Sequence, residues 1–138
     1  MKKSLVFVLL LVSFIGFAQE NEAATAPIIL KKLFYQQSVL FGDYSVKFSE
    51  LLSDSRCPIG VTCIWAGEVV FTVTVSKNDT IISSETFKIP PTNYTDKERK
   101  VLTLENGLTL CLYNVMPFPT AEKKIATKEY YLQYTDAN

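Results

Sequence analysis

Apolar and polar side chains alternate along much of this chain, and such alternation predicts half-buried β-strands. The strongest example spans residues 68–76, where Phe71, Val73 and Val75 share one face while threonine and serine occupy the other. Turn signals, among them Asn106-Gly107, separate this run from others of the same kind. The further strands are predicted at about residues 28–36, 44–52, 80–88, 100–104, 108–112 and 128–135.

The strand pattern predicts an all-β fold. About seven short strands, with polar turns between them and no sustained helical periodicity, are typical of an antiparallel sandwich or barrel. The chain has 138 residues and no internal repeat, so we expect a single β domain over residues 28–138. Its core is expected to include the apolar faces of the alternating runs: Tyr44, Val46, Phe48, Phe71, Val73, Val75, Leu108, Leu110, Leu112, Tyr130, Leu132 and Tyr134.

The first 18 residues have the features of a secretory signal peptide. The basic Lys2-Lys3 pair precedes an apolar run over residues 5–14, and Ala18 ends a small-residue cleavage site. A membrane-spanning helix needs ~20 apolar residues, so this shorter run favours cleavage over anchoring. Residues 19–27 are polar and aperiodic, which predicts a flexible lead-in. We therefore expect a secreted or periplasmic protein with no membrane span after cleavage.

Charge and residue usage narrow the function classes. The chain has 14 basic and 14 acidic side chains, and loss of the Lys2-Lys3 pair leaves 12 against 14, a net charge of −2. This balance argues against a nucleic-acid surface, which needs a basic excess. No histidine is present, which removes the commonest general base and the commonest transition-metal ligand. We therefore expect no cofactor and no metal, and the composition favours a non-enzymatic protein.

A cysteine-containing segment, residues 53–68, interrupts the strand pattern and holds the only tryptophan. Export would place the protein in an oxidising compartment, where Cys57 and Cys63 are expected to pair. Chain-entropy reasoning gives such a short ring about 2.4 kcal/mol of stabilisation, so a structural disulfide is predicted. The part of this segment expected to be exposed, and available as a binding loop, comprises Arg56, Pro58, Ile59, Gly60, Val61 and Thr62.

The sequence also predicts structural roles for residues near the cysteine pair and for the third cysteine. Trp65 is expected to pack over the disulfide or into the core, with an exposed ligand-stacking platform as the alternative. Asp54 is expected to cap loop amides or to pair with Arg56. Gly67 is small enough for another backbone to approach closely, as at a bulge. Cys111, the odd cysteine, is expected to be a buried, unreactive thiol, and an intermolecular disulfide is the alternative.

Two stretches resemble a family of small exported bacterial proteins. The first is Asp-Ser-Arg-Cys-Pro at residues 54–58, followed after four residues by Cys63-Ile64-Trp65-Ala66-Gly67. The second is Tyr-Asn-Val-Met-Pro-Phe-Pro at residues 113–119, with a later Tyr130-Tyr131 pair. The resemblance covers most of the predicted mature chain. It implies an all-β fold and implies no activity.

Two functional hypotheses from different classes fit these observations. The first is a non-enzymatic, secreted or periplasmic β domain that binds an envelope protein or ligand, with Trp65 and the exposed loop as its contact surface. The alternative is a metal-binding protein, a thiol-redox protein or a hydrolase centred on the Cys57–Cys63 loop. The alternative has weaker support, because redox pairs are more often Cys-x-x-Cys at a helix N-terminus and metal sites need more cysteine or histidine ligands.

Overall fold

The computed structural model describes residues 27–91 and 100–137, and the predicted signal peptide and its cleavage site lie outside these ranges. The described residues form eight β-strands and a 3-10 turn at Thr127–Glu129. The strands are β1 (Lys31–Phe34), β2 (Ser38–Phe41), β3 (Tyr44–Asp54), β4 (Val69–Lys77), β5 (Thr80–Ile89), β6 (Lys100–Thr103), β7 (Thr109–Met116) and β8 (Tyr131–Ala137).

These strands form two four-stranded antiparallel sheets that pack together. One sheet has the order β1-β8-β7-β6 and the other has the order β2-β3-β4-β5. The all-β prediction is confirmed, and the packing of two sheets corresponds to the sandwich rather than the barrel. No helix among residues 27–91 and 100–137 is long and apolar enough to cross a membrane.

The core lies between the two sheets and is built from the alternating apolar faces. In β4, Phe71 and Val73 have no solvent exposure, while the intervening Thr72 is partly exposed. Phe48 of β3 packs edge-on against Phe71, with ring centroids 5.7 Å apart. The predicted core face is confirmed: Tyr44, Val46, Phe48, Phe71, Val73, Val75, Leu110, Leu112, Tyr130, Leu132 and Tyr134 are buried, and Leu108 packs against them half-buried.

Some predicted boundaries were wrong for local reasons. Strand β2 was not predicted, because its four residues are exposed or half-buried and carry no clear alternation. The strand predicted near residues 28–36 is limited to β1, since Gln36 adopts a left-handed conformation with φ 62°. The last strand begins only at Tyr131, after the 3-10 turn. The predicted turn after β4 is confirmed, with positive φ at both Asn78 and Asp79, as a two-residue primed turn requires.

The two neighbours of β3 in the second sheet differ in length, which leaves one end of β3 unpaired on the β2 side. Strand β3 has eleven residues, whereas its neighbour β2 has four and pairs only with residues 44–47. On the other side, β4 accompanies β3 along its whole length, as far as the pair of Asp54 with Val69. The end of β3 therefore extends past β2 and leads directly into the cysteine-containing segment.

Candidate functional site

The predicted disulfide is present. Cys57 and Cys63 are bonded, with their Cα atoms 5.9 Å apart. Cys111 is a free thiol on β7, half-buried rather than fully buried as expected. The cysteine loop, defined here as residues 57–67, thus contains a closed ring between the ends of β3 and β4.

Backbone hydrogen bonds fix the base of the cysteine loop. The amide of Ser55 donates to the carbonyl of Glu68, and the amide of Cys57 donates to the carbonyl of Ala66, both at 2.9 Å. These bonds continue the β3–β4 pairing beyond the last ladder residues. On the opposite side, the amide of Ile59 donates to the carbonyl of Pro119 at 2.9 Å. The loop is therefore held by hydrogen bonds between its two arms, residues 55–57 and 66–68, and by a bond to the segment after β7.

Gly67 allows the two arms to approach closely. Its φ is +72°, and a Cβ atom at this position would lie 1.8 Å from the carbonyl oxygen of Ser55. No side chain can occupy that space without displacing backbone. The expectation of a close backbone approach at Gly67 is thereby confirmed, and the crossing backbone is that of Ser55.

Arg56 does not belong to an exposed binding loop, and that expectation was wrong. The residue is 2% exposed, and it lies under the loop rather than on its surface. Its Nε and Nη2 atoms donate to the two carboxylate oxygens of Asp54 at 2.8 and 2.6 Å. Its Nη1 atom donates to the carbonyl of Val115 at 2.5 Å, and Nη2 donates to the carbonyl of Pro117 at 3.2 Å. The guanidinium also stacks on Phe118, 4.3 Å from the ring centroid.

The fork geometry explains why arginine is buried here. A guanidinium is planar and can satisfy a carboxylate bidentately while donating to further acceptors. The pairing of Asp54 with Arg56, one of two expectations for that aspartate, is confirmed. The pair connects the end of β3 to the end of β7, and it therefore fastens the cysteine loop to the opposite sheet.

Tyr130 completes this cluster from the position just before β8. Its hydroxyl donates to Oδ2 of Asp54 at 3.1 Å. Burial and the negative charge of Asp54 raise the pKa of Tyr130 to about 12. Burial by itself would raise the pKa of Asp54, but the hydrogen bonds and charge of Arg56 outweigh it and hold that pKa below the ordinary value of an aspartate. The aspartate therefore stays ionised and the tyrosine stays protonated across the neutral range.

Sequence reasoning found Asp54 as a partner of Arg56 but missed the others. They come from the end of β7 and the residues after it, which no local pattern connects to the cysteine loop. A signal was nevertheless available, because residues 113–119 and Tyr130 are the stretches that carry the resemblance beyond the cysteine motif. The structure brings those separate stretches together around one side chain.

Trp65 is exposed, so the expectation that it packs in the core or over the disulfide was wrong. Its side chain is 74% exposed, and the neighbouring Ile64 is 96% exposed. The interior at this end of the sandwich is occupied by the guanidinium of Arg56 stacked on Phe118, and the indole lies outside it. The alternative expectation, an exposed aromatic surface, agrees with this position.

The remaining predicted loop residues form one apolar surface. Ile59 is 63% exposed and Val61 is 46% exposed, while Gly60 and Thr62 are also exposed and Pro58 is half-buried. We define Ile59, Val61, Ile64 and Trp65 as the apolar loop surface. No charged residue occurs between Cys57 and Gly67, so this surface has no charge of its own.

A cleft of ≈ 500 Å³ lies beside the cysteine loop, between the end of β3 and residues 119–130. Leu51 and Leu52 line it on one side, and Lys123 and Lys124 line it from the other segment. Thr120 also lines the cleft, and it forms an isolated parallel bridge with Ile59 of the loop. The cleft and the apolar loop surface are thus neighbours.

Within residues 27–91 and 100–137, no group of three or more histidine, cysteine, aspartate or glutamate side chains could hold a metal ion. The Asp54 carboxylate is engaged by Arg56 and Tyr130, and Glu68 lies 3.6 Å from the Nζ atom of Lys88.

Comparisons of the chain with protein-family models, curated proteins and solved structures found no match.

Proposed function

We propose that this protein is a non-enzymatic binding module of an extracytoplasmic compartment, and that it contacts a protein partner through the apolar loop surface. The observation that carries the proposal is the exposure of Ile64 and Trp65, at 96% and 74%, on a loop closed by a disulfide. Tryptophan is among the residues most enriched at the energetically dominant positions of protein interfaces.

The rigidity of the loop supports binding without a large ordering cost. The disulfide, the Ser55–Glu68 bonds and the buried Arg56 cluster restrict the loop before any partner arrives. A preorganised loop loses less conformational entropy on association, and more of the contact energy remains as affinity. Exposure of these apolar side chains to water is unfavourable in the free protein, and their burial against a partner would relieve it.

The chemistry of the loop favours an apolar recess on a protein over a membrane surface. Loops that bind anionic membranes combine apolar side chains with lysine or arginine. Residues 57–67 contain no charged side chain. Of the lysines beside the loop and its neighbouring cleft, Lys88 lies beside Glu68 and Lys123 beside Glu129, which leaves Lys124 alone and no basic cluster of the kind that binds anionic lipids. The expected partner therefore presents an uncharged, concave surface that accepts the indole.

The proposed location rests on the sequence. The predicted signal peptide at residues 1–18 would deliver the chain to an oxidising compartment, in which a disulfide such as Cys57–Cys63 persists. The resemblance to small exported bacterial proteins supports the same location, as secreted or periplasmic.

Site-specific photo-crosslinking tests this function. A photoreactive phenylalanine analogue at position 64 would be compared with the same analogue at position 40, since Leu40 is also 74% exposed but lies on β2. Incubated with envelope extract, the position-64 protein should give a discrete protein adduct that excess unlabelled protein competes away and that Trp65→Ala reduces. Equal labelling from both positions, adducts with lipid alone, or no adduct would contradict the proposal.

A further inference from the structure

The cleft beside the cysteine loop is a recess on the same chain that carries the apolar loop surface. Leu51 and Leu52 line one side of it, Pro119 and Ile125 line the other, and its volume is ≈ 500 Å³. Such a volume lies within the range of ordinary ligand sites and is larger than an indole ring system. The cleft therefore has the size and the apolar walls that an exposed tryptophan needs in a partner.

The charges around the cleft favour an uncharged occupant. Asp54 and Lys123 line the cleft, and each lies beside an opposite charge, at 2.6 and 3.1 Å. The remaining cation of the lining is Lys124, and the exposed Glu50 of β3 offsets it. The cleft thus selects neither an acidic nor a basic ligand. An ammonium group can also contact the face of an indole favourably, so Lys124 does not oppose an aromatic occupant.

The apolar loop surface has the complementary properties. It carries no charge, and the indole of Trp65 and the side chain of Ile64 are both exposed. Trp65 does not line the cleft of its own chain. In a single copy, the indole is therefore uncovered while the cleft is open, and a second copy can cover both at once.

The positions of the two surfaces suit a two-fold dimer. The parallel bridge between Ile59 of the loop and Thr120 of the cleft makes the two surfaces neighbours. In a two-fold dimer, each contact from one copy to the other is accompanied by the reverse contact. A projection and a recess that adjoin each other can form both contacts close to one axis. The same two features on opposite ends of a molecule would join copies into open chains.

The expected interface is small. Two reciprocal indoles, together with the equal area that they cover on the cleft walls, bury roughly 600–1,000 Å². This area is below that of most stable specific interfaces, which begin at about 1,200 Å². The association should therefore be weak, with a Kd on the order of 10–100 µM. The dilute protein should be monomeric, with its indole exposed to solvent.

We propose that a second copy of this chain is a partner of the apolar loop surface, and that Trp65 of each copy enters the cleft of the other in a two-fold dimer. The inference rests on the proposed function, because it names an occupant of the same surface. One copy supplies the indole and the other supplies the leucine wall of β3, so neither chain contains the complete site.

Sedimentation velocity of the purified, disulfide-bonded protein tests the dimer, over concentrations from about 1 to about 500 µM. A monomer–dimer equilibrium without larger species is expected. Trp65→Ala should weaken the association about tenfold or more, because it removes both anchors. Leu52→Gln replaces part of the cleft wall and should weaken it severalfold. Leu40→Gln is the matched control, since it makes the same change at an exposed position of β2 and should leave the association unchanged.

Photo-crosslinking of the purified protein locates the contact. Chains that carry a photoreactive phenylalanine analogue at position 64 would be mixed with isotopically labelled chains that lack it, so that links between copies are recognised by mass. Links to residues 51–54 or 119–125 of the labelled chain are expected.

No concentration-dependent association, growth beyond a dimer, links between copies at other positions, or equal effects of Leu52→Gln and Leu40→Gln would overturn the dimer. The proposed function is separable from it. An adduct with a different protein in envelope extract, without self-association of the purified chain, would remove the dimer and leave the proposed function in place.

Discussion

Arg56 is a buried cation, and neighbouring protein groups make the contacts with its guanidinium that water would otherwise make. Asp54 provides a carboxylate, Val115 and Pro117 provide carbonyl oxygens, and Phe118 covers one face of the guanidinium. Removal of a charge from water is costly unless such partners are complete. At the residue scale, this cluster is what converts a flexible cysteine-containing segment into a fixed loop.

Arg56→Ala should therefore destabilise the protein by about 3–5 kcal/mol, because it leaves the Asp54 carboxylate buried without its counter-ion. Urea unfolding followed by circular dichroism measures the change. Arg56→Lys keeps the charge but loses the fork, and it should fall between Arg56→Ala and the wild type. A loss below about 1 kcal/mol for Arg56→Ala, the size typical of a surface pair, would contradict the structural role assigned to the cluster.

The same cluster should give the protein an acid-sensitive component of stability. The folded-state pKa of Asp54 is lowered from its ordinary value by Arg56, so its contribution is present above the pKa of the unfolded carboxyl group and is lost as pH falls through the lowered pKa. Asp54→Asn should remove this component and flatten the acid limb of a stability–pH curve. Asp136→Asn is the control, because its exposed pair with Lys31 should contribute little. An unchanged acid limb in Asp54→Asn would contradict the prediction.

At the scale of elements, the buried strands and the turn after β4 were predictable, whereas the edge strand β2 and the path of the cysteine loop were not. A buried strand imposes an alternation that is plain in β4 or β8, since each inward side chain contacts the other sheet. Strand β2 is a four-residue edge in which Val39 and Phe41 are only half-buried, and the exposed position between them is also apolar, so its sequence shows no alternation of polar and apolar residues. The path of the cysteine loop depends on close contacts between distant segments, such as Gly67 against Ser55, and alternation carries no information about them.

Gly67 provides a test of that loop path. Gly67→Ala should cost at least about 3 kcal/mol, because the added methyl group would clash with a backbone carbonyl at a positive φ. Gly60→Ala is the matched control: its φ is also positive, at +90°, but nothing lies within 4 Å of the added atom. It should cost only about 1–2 kcal/mol. Equal unfolding temperatures for the two variants would contradict the close approach of Gly67 to the carbonyl of Ser55.

At the scale of the whole molecule, the proposed recognition surface lies at one end of the two-sheet sandwich. The sequence indicated the fold class and the disulfide, because both follow from local patterns and from the compartment expected for the chain. It misplaced Arg56 and Trp65, whose burial depends on which side chain fills the end of the sandwich. An arginine is normally exposed and a tryptophan normally buried. Here the buried arginine is satisfied by the neighbouring Asp54 and by carbonyl groups from a distant part of the chain, and the tryptophan is exposed.

The fluorescence of Trp65 tests the account most directly, since it is the only tryptophan in the chain. In the folded, disulfide-bonded protein, the indole should emit as a solvent-exposed side chain, and acrylamide should quench it nearly as efficiently as in the urea-unfolded protein. Shielded, blue-shifted emission should appear only when a partner occupies the apolar loop surface. A shielded indole in the isolated folded protein would place Trp65 in the core and contradict the binding surface assigned to the loop.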